Sequence, residues 1–112
     1  VQYVLYPGPE NHPGYEINKA QTTGFGGMIS FAVDSAETAR QILEGVKLIK
    51  FAESLGGTES LITYPIRQTH TDLTAEECAE KGITDCLLRF STGIEATQDL
   101  IDDLAQAFAA IE

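Results

Sequence analysis

The sequence predicts a single α+β or α/β sandwich domain spanning residues 1–112, with one sheet and helices packed on it. Two observations predict this fold. Short apolar segments of strand length alternate with helical patterns, and the connections between them are short. The chain has 112 residues, which suffice for one hydrophobic core and not for two independent ones. We found no internal repeat, linker or low-complexity segment in the sequence.

Five segments have the composition of strands. The first is stopped by Pro7, Gly8 and Pro9, and the last is a continuous apolar run interrupted only by Arg89. Such a run is typical of a strand that is buried on both faces. The five segments are VQYVLY (1–6), GGMISFAV (26–33), LIKFA (48–52), SLITY (60–64) and CLLRFS (86–91).

Helical patterns lie between these strands. A weak pattern at 12–21 has Pro13 in its first turn, a position that proline tolerates. Asp34 and Glu37 have the spacing of a capping box, and we expect the helix that follows to end at Gly45.

Two further helices are predicted in the second half of the chain. Thr74 and Glu77 repeat the capping-box spacing before a short acidic helix that closes at Gly82. The C-terminal segment has apolar residues at helical spacing, which predicts an amphipathic helix. These residues are Leu100, Ile101, Leu104, Phe108 and Ile111.

The charge of the chain excludes one class of function. The formal net charge is −10 and the pI is about 4.4, whereas a nucleic-acid partner requires a basic face. We interpret the acidity as a solubility feature. No apolar run approaches the roughly 18 residues of a membrane span, and no leader is visible, so we expect no membrane partner and a cytoplasmic location.

No residue pattern predicts a metal site or a disulfide. Cys78 and Cys86 lie in no ligand spacing, and we expect both to be reduced. His12 and His70 have no ligand-spaced partner. The glycine-rich segment 24–28 precedes a strand, which is the wrong context for a dinucleotide-binding loop.

The segment ESLGG, which begins at Glu53, and the strand residue Arg89 are the candidate functional features. Two glycines between strands can direct backbone N–H groups at one spot, which would suit a carboxylate or phosphate. Arg89 offers a planar fork of donors that fits a carboxylate in a bidentate manner. The alternatives are a simple tight turn for the glycines, and for Arg89 an edge-strand position in solvent or a salt bridge to one of the 17 acidic residues.

Several motifs in the sequence resemble one known family. YPG, HPGYEI, GFGGMISF, ESLGGTESLITYP, THTDLTAEE, LLRFSTGIE and DLIDDL occur in this order along nearly the whole chain. They resemble the C-terminal domain of the pyridoxal-phosphate-dependent transsulfuration enzymes of cysteine and methionine metabolism. The resemblance implies the small domain of a fold-type I enzyme, with an antiparallel-rich sheet and helices on one face.

The resemblance also assigns roles to four residues. Arg89 would hold the α-carboxylate of an amino-acid substrate, and the backbone N–H of Leu55 would assist it. The hydroxyl of Ser54 would lie beside the cofactor-bound lysine. A carboxylate at position 53 is similar to the γ-synthase and γ-lyase branch. The run SLITYPIRQTHTD is most similar to cystathionine γ-synthase or O-acetylhomoserine thiol-lyase, which act at the γ-carbon of homoserine-derived substrates.

The catalytic and cofactor-binding groups of the family are not expected in this chain. The resemblance places the Schiff-base lysine and the groups that bind pyridoxal phosphate in a large partner domain, and it implies a homotetramer. No lysine of the chain sits in the family's aldimine motif, so we expect the chain alone to bind no cofactor and to be inactive. The lysines are Lys19, Lys47, Lys50 and Lys81.

The sequence begins within the first strand pattern at Val1, so we expect a fragment of a longer protein. A trimmed protein and a natural cleavage product would look the same at this stage. A free-standing amino-acid-binding or oligomerisation module that reuses the fold is the alternative, because one fold hosts many functions.

Overall fold

A computed structural model describes residues 1–68 and 72–111 as a five-stranded sheet with five helices. The predicted α+β class is confirmed. In chain order, the elements are β1 (Tyr3–Leu5), α1 (Tyr15–Gln21), β2 (Met28–Ala32), α2 (Ala36–Gly45), β3 (Lys50–Phe51), β4 (Leu61–Thr63), α3 (Pro65–Gln68), α4 (Ala75–Glu80), β5 (Leu87–Ser91) and α5 (Thr97–Ala109).

The sheet is mostly antiparallel, as the family resemblance implies. Its strand order is β1-β2-β5-β4-β3, and only the β3–β4 pair is parallel. Strand β5 is central, because it pairs with β2 on one side and with β4 on the other. Arg89 therefore does not lie on an edge strand, and that alternative for its role is wrong.

The two longest helices, α2 and α5, cover one face of the sheet. Side chains alternate between the two faces of a strand, so Leu88 and Phe90 of β5 point to the same face. They are buried there in one apolar cluster with Phe31 of β2, Ile42 of α2 and Leu100 of α5. This cluster is the main hydrophobic core. It lies between the sheet and the helices packed on it, as the sequence predicts.

A second, smaller cluster covers one end of the opposite face. Ala32 and Leu87 are register partners on this face, and they pack with Cys78 of α4 and with Ile83. The next residue of β5 on the same face is Arg89, because side chains repeat every second residue. Beyond Leu87, this face of the sheet therefore carries Arg89 and is approached by the loop that follows β3.

The helix starts differ from the predictions at two places. The N-cap of α2 is Ser35, whose hydroxyl accepts a hydrogen bond from the Thr38 amide, so the predicted cap at Asp34 is wrong by one residue. Helix α1 begins after the predicted first turn, and Pro13 precedes its N-cap Gly14.

The structure confirms the predicted capping box of α4 and the predicted end of α2. The capping box of Thr74 and Glu77 is present, with both reciprocal hydrogen bonds formed. Helix α2 ends at Gly45, as predicted. Helix α3, which the sequence analysis does not predict, is a single turn that starts at Pro65, where a proline suits the first helical position.

The predicted strand LIKFA is shortened to Lys50–Phe51 by contacts with a residue of α5. The amides of Lys47, Leu48 and Ile49 all donate to the carboxylate of Asp103 on α5, at 2.8, 2.9 and 2.8 Å. An amide committed to a side chain cannot join a strand ladder. The strand therefore begins only after Ile49.

One surface of the domain, formed by β1 and the groove beside it, is strongly apolar. Strand β1 is exposed along its whole length, including Val4 at 54% and Leu5 at 51%. Beside it, an apolar groove of about 430 Å3 runs between the sheet and α5, and its lining includes Phe31 and Phe108. None of the described helices has the length and apolarity needed to cross a membrane.

Candidate functional site

Arg89 occupies the middle of the sheet on the incompletely covered face. Its register partners are Ser30 on β2 and Thr63 on β4, two small polar residues that leave room for a guanidinium. The side chain is half-buried. Its Nη2 donates to the carbonyl oxygen of Glu53 at 2.8 Å and lies 3.4 Å from the Thr63 hydroxyl oxygen.

The guanidinium of Arg89 has donors that the described protein groups do not satisfy. Its Nε is buried, and no described residue accepts a hydrogen bond from it. Arg89 also forms no ion pair with any acidic residue in the described part of the chain, where the ion pairs recorded are those of Arg40 with Glu37 and Glu44. The salt-bridge alternative for Arg89 is therefore not supported, and the group retains a full charge and unused donors for an anion.

The loop that follows β3 runs beside Arg89, whose Nη2 donates to the Glu53 carbonyl oxygen. The predicted site residues Glu53, Ser54 and Leu55 are all exposed. Gly56 has a φ of +72°, a conformation that strongly favours glycine, and its amide donates to the Ser91 hydroxyl at 2.9 Å. The loop thus makes a tight turn against the end of β5 and exposes its side chains above the Arg89 face.

A second set of contacts, which the sequence analysis misses, holds the far end of this loop. The buried Ser60 donates from its amide and from its hydroxyl to the Glu95 carboxylate, each at 2.8 Å. The Ser60 oxygen also accepts the Gly93 amide at 2.8 Å, and the Ile94 amide donates to the Thr58 carbonyl at 2.9 Å. No local pattern in the sequence marks these contacts, because Ser60 and Glu95 are 35 residues apart.

The charge state of Glu95 follows from these contacts. The hydrogen bond from the Ser60 amide lowers the pKa of the Glu95 carboxyl, and the Ser60 hydroxyl adds to the effect. Glu95 is therefore ionised near neutral pH and acts as a charged acceptor for two donors of one residue.

A shallow cavity of about 180 Å3 opens beside the loop. Its lining combines the loop, the end of β5 and the start of β2, which meet because β2 and β5 pair at Met28 and Ser91. The apolar side chains in this lining are Leu55 and Met28. The cavity could receive a small group that extends from a ligand held near Arg89.

All four lysines of the chain, at positions 19, 47, 50 and 81, are exposed. Among the described residues, no cluster of acidic, histidine or cysteine side chains could hold a metal.

His12 and the two cysteines are not among the residues that line the cavity beside the loop. The Nδ1 atom of His12 accepts the Gly14 amide at 2.9 Å within a local turn, and His70 lies outside the described residues. Cys78 is buried and Cys86 is half-buried, and neither forms a disulfide.

Comparisons with known proteins agree with this architecture. The family model described as "Cys/Met metabolism PLP-dependent enzyme" matches residues 1–109. Cystathionine gamma-lyase of Bacillus subtilis (strain 168) is 50% identical over 111 residues, which are 99% of this chain and 29% of the relative. L-methionine gamma-lyase of Fusobacterium nucleatum subsp. nucleatum is 47% identical over 112 residues, and it is covered to 28%.

Solved structures give the same result. The cystathionine gamma-lyase from Lactobacillus plantarum complexed with L-serine has a TM-score of 0.92 at 40% identity, with 99% of this chain and 29% of the other covered. The cystathionine gamma-synthase from Xanthomonas oryzae pv. oryzae in complex with cystathionine has a TM-score of 0.88 at 43% identity, with 99% and 30% covered. The chain thus spans less than a third of the length of these relatives.

Proposed function

The chain belongs to the Cys/Met metabolism PLP-dependent enzyme family, and from this premise we propose that it is the part of a transsulfuration enzyme that binds the substrate carboxylate. Arg89 carries this proposal, because it combines a charged guanidinium, a buried unpartnered Nε and a central position in the sheet. A half-buried charge of this kind is favourable when it meets an anion of matching geometry.

The loop residues complete the proposed recognition. The carbonyl of Glu53 fixes one edge of the Arg89 guanidinium, which leaves other donors of the fork for the ligand. The backbone N–H of Leu55 would add a second donor to the carboxylate, and the Ser54 hydroxyl would face the reacting part of the substrate. The exposed Glu53 side chain would favour a substrate with a distal ammonium group.

The proposed reaction is γ-replacement or γ-elimination on a homoserine-derived amino acid. Relatives named as γ-lyases, β-lyases and methionine γ-lyases share 44 to 50% identity with the chain, so overall identity does not separate these reactions. We favour a cystathionine γ-synthase-like activity because the run SLITYPIRQTHTD is most similar to cystathionine γ-synthase or O-acetylhomoserine thiol-lyase, and the carboxylate at position 53 agrees with the γ-synthase and γ-lyase branch. Pyridoxal phosphate, held by the rest of the full-length enzyme, would supply an electron sink.

A large partner domain of the same enzyme would cover the apolar surface of this one. The exposed strand β1 and the groove of about 430 Å3 beside it support this part of the proposal, since exposed apolar patches mark interfaces. We further propose a homotetramer in the cytoplasm. Without its partner domain the chain would be inactive.

A crystal structure of the full-length enzyme with L-cystathionine tests the proposal. We expect a substrate carboxylate within about 3 Å of the Arg89 guanidinium, in the paired geometry of arginine and carboxylate. A carboxylate bound elsewhere would refute the role of Arg89. A gene in which these 112 residues stand without any large domain would instead favour the free-standing module.

A further inference from the structure

We propose that Glu95 is a positioning residue for substrate binding, because its double hydrogen bond to Ser60 fixes the loop that faces Arg89. This inference rests on the proposed function of Arg89. It concerns the contacts between the TGIE segment after β5 and the far end of the loop, to which no ligand needs to bind.

The loop 53–60 is held to β5 and its extension at three points. At its start the Glu53 carbonyl accepts the Arg89 guanidinium, and near its middle the Gly56 amide donates to Ser91. At its end Ser60 is tied to Glu95. Between these points its residues are exposed, so the loop has no core of its own to fix its shape.

The Glu95 contact is the strongest of the three on physical grounds. It pairs a charged carboxylate with two donors of one buried residue, whereas the Ser91 contact is a single neutral hydrogen bond. The Ser60 oxygen also receives the Gly93 amide, so the side chain that Glu95 holds is linked to the backbone of the TGIE segment.

The TGIE segment and the loop 53–60 also pack closely against each other at Gly93. A Cβ at Gly93 would lie within 2.6 Å of the Glu59 carbonyl carbon and closer still to the Thr58 carbonyl oxygen. The two backbones therefore touch at this point, and a shift of the TGIE segment must shift the loop. Since the Glu53 carbonyl orients Arg89, a shift of the loop also moves the guanidinium.

The test uses the full-length enzyme with O-acetyl-L-homoserine and L-cysteine, the reactants of the favoured γ-replacement, and KM is measured for O-acetyl-L-homoserine. Glu95→Ala should raise KM about tenfold, the effect of losing one charge-assisted hydrogen bond, with a smaller change in kcat. Glu95→Gln should recover much of this loss, because its amide can accept from the Ser60 amide and donate to the Ser60 oxygen. Glu77→Ala is the matched control, since it removes a carboxylate from a capping box on α4.

A double variant separates positioning from general stability. When Arg89→Ala is already present, Glu95→Ala should change KM by a much smaller factor than it does alone, because the group that it positions is gone. Additive effects would indicate a merely structural role and would overturn the inference.

Hydrogen exchange supplies a readout that does not depend on turnover. Glu95→Ala should increase amide exchange in the peptide that covers 53–60, and Glu77→Ala should leave that peptide unchanged. Unchanged exchange in Glu95→Ala would overturn the inference by itself. If exchange rises and Arg89→Ala raises KM while Glu95→Ala does not, the inference fails and the role of Arg89 stands. If Arg89→Ala leaves KM and kcat unchanged, the proposed function fails first.

Discussion

The Arg89 guanidinium and the Glu53 carbonyl oxygen are joined by a 2.8 Å hydrogen bond between residues that are 36 positions apart in the sequence. This bond connects the centre of the sheet to the start of the loop 53–60. It explains how a flexible charged side chain can have a fixed direction, because one edge of its fork is already occupied. The remaining donors can then meet a carboxylate with little loss of conformational entropy.

The planar shape of the Arg89 guanidinium, and not only its charge, should contribute to kcat/KM. In the full-length enzyme, Arg89→Lys should restore only part of the kcat/KM that Arg89→Ala loses, because an ammonium cannot bond Glu53 and a carboxylate in the same plane. Steady-state kinetics with O-acetyl-L-homoserine and L-cysteine checks this. Full activity in Arg89→Lys would show that a point charge is sufficient.

Asp103 should be a major source of stability in this fold. It is only 6% exposed and accepts three successive backbone amides, at Lys47, Leu48 and Ile49. Asp103→Ala leaves these donors without their partner and should lower the free energy of unfolding by about 3 kcal/mol. Urea denaturation measures this, with the exposed Asp102→Ala on the same helix as the control.

The contribution of Asp103 should also depend on pH. Burial raises the pKa of Asp103, but the hydrogen bonds from the backbone amides and Gln106 outweigh burial and lower it overall. A lowered folded-state pKa adds stability above the unfolded-state pKa of about 4, and this stability is lost as the pH falls through the folded-state value. The difference in stability between the wild type and Asp103→Asn should therefore shrink below about pH 4. A constant difference from pH 7 to pH 3 would contradict the assignment.

Gly93 and Gly57 should respond differently to the same substitution. An added Cβ at Gly93 would meet the backbone of Glu59 at 2.6 Å, whereas at Gly57 it would meet nothing within 4 Å. Gly93→Ala should cost about 1 to 3 kcal/mol of stability, as overpacking does, and Gly57→Ala should be nearly neutral. Thermal unfolding of the two variants compares them directly. Equal shifts in Tm would show that the contact at Gly93 is not tight.

The chain alone should have no transsulfuration activity. Its four lysines are exposed, and the family resemblance places the Schiff-base lysine and the groups that bind pyridoxal phosphate in the large domain. Mixed with pyridoxal phosphate, it should show only the weak absorbance change of surface lysines and should turn over neither L-cystathionine nor O-acetyl-L-homoserine. Saturable turnover by the purified 112-residue chain would contradict the division of roles between two domains.

The strands and most of the helices can be predicted from the sequence because their signals are local. Apolar runs, capping spacing and terminal glycines lie within each element, and Gly45 and the Thr74 box act as predicted. The exceptions have distant causes. The strand at 48–52 is shortened by Asp103, which lies more than 50 residues away.

The candidate site could be predicted only in part for the same reason. Arg89 stands out locally as a charge within an apolar strand, and the loop from Glu53 stands out by its glycines. The pairing of Ser60 with Glu95 joins residues 35 apart, and neither residue is unusual in its own segment. Such a contact becomes visible only when β4 and β5 are placed side by side.

The most direct test of the account is the kcat/KM of Arg89→Ala in the full-length enzyme for O-acetyl-L-homoserine, with L-cysteine as the nucleophile. Arg40→Ala is the matched control, because it removes an exposed arginine whose partners are the surface residues Glu37 and Glu44. We expect Arg89→Ala to lose about 2 to 5 kcal/mol of transition-state stabilisation, as when one partner of a desolvated charge pair is removed. Arg40→Ala should retain kcat/KM within about twofold, as expected for an exposed pair. Equal kcat/KM values for Arg89→Ala and the wild type would contradict the account.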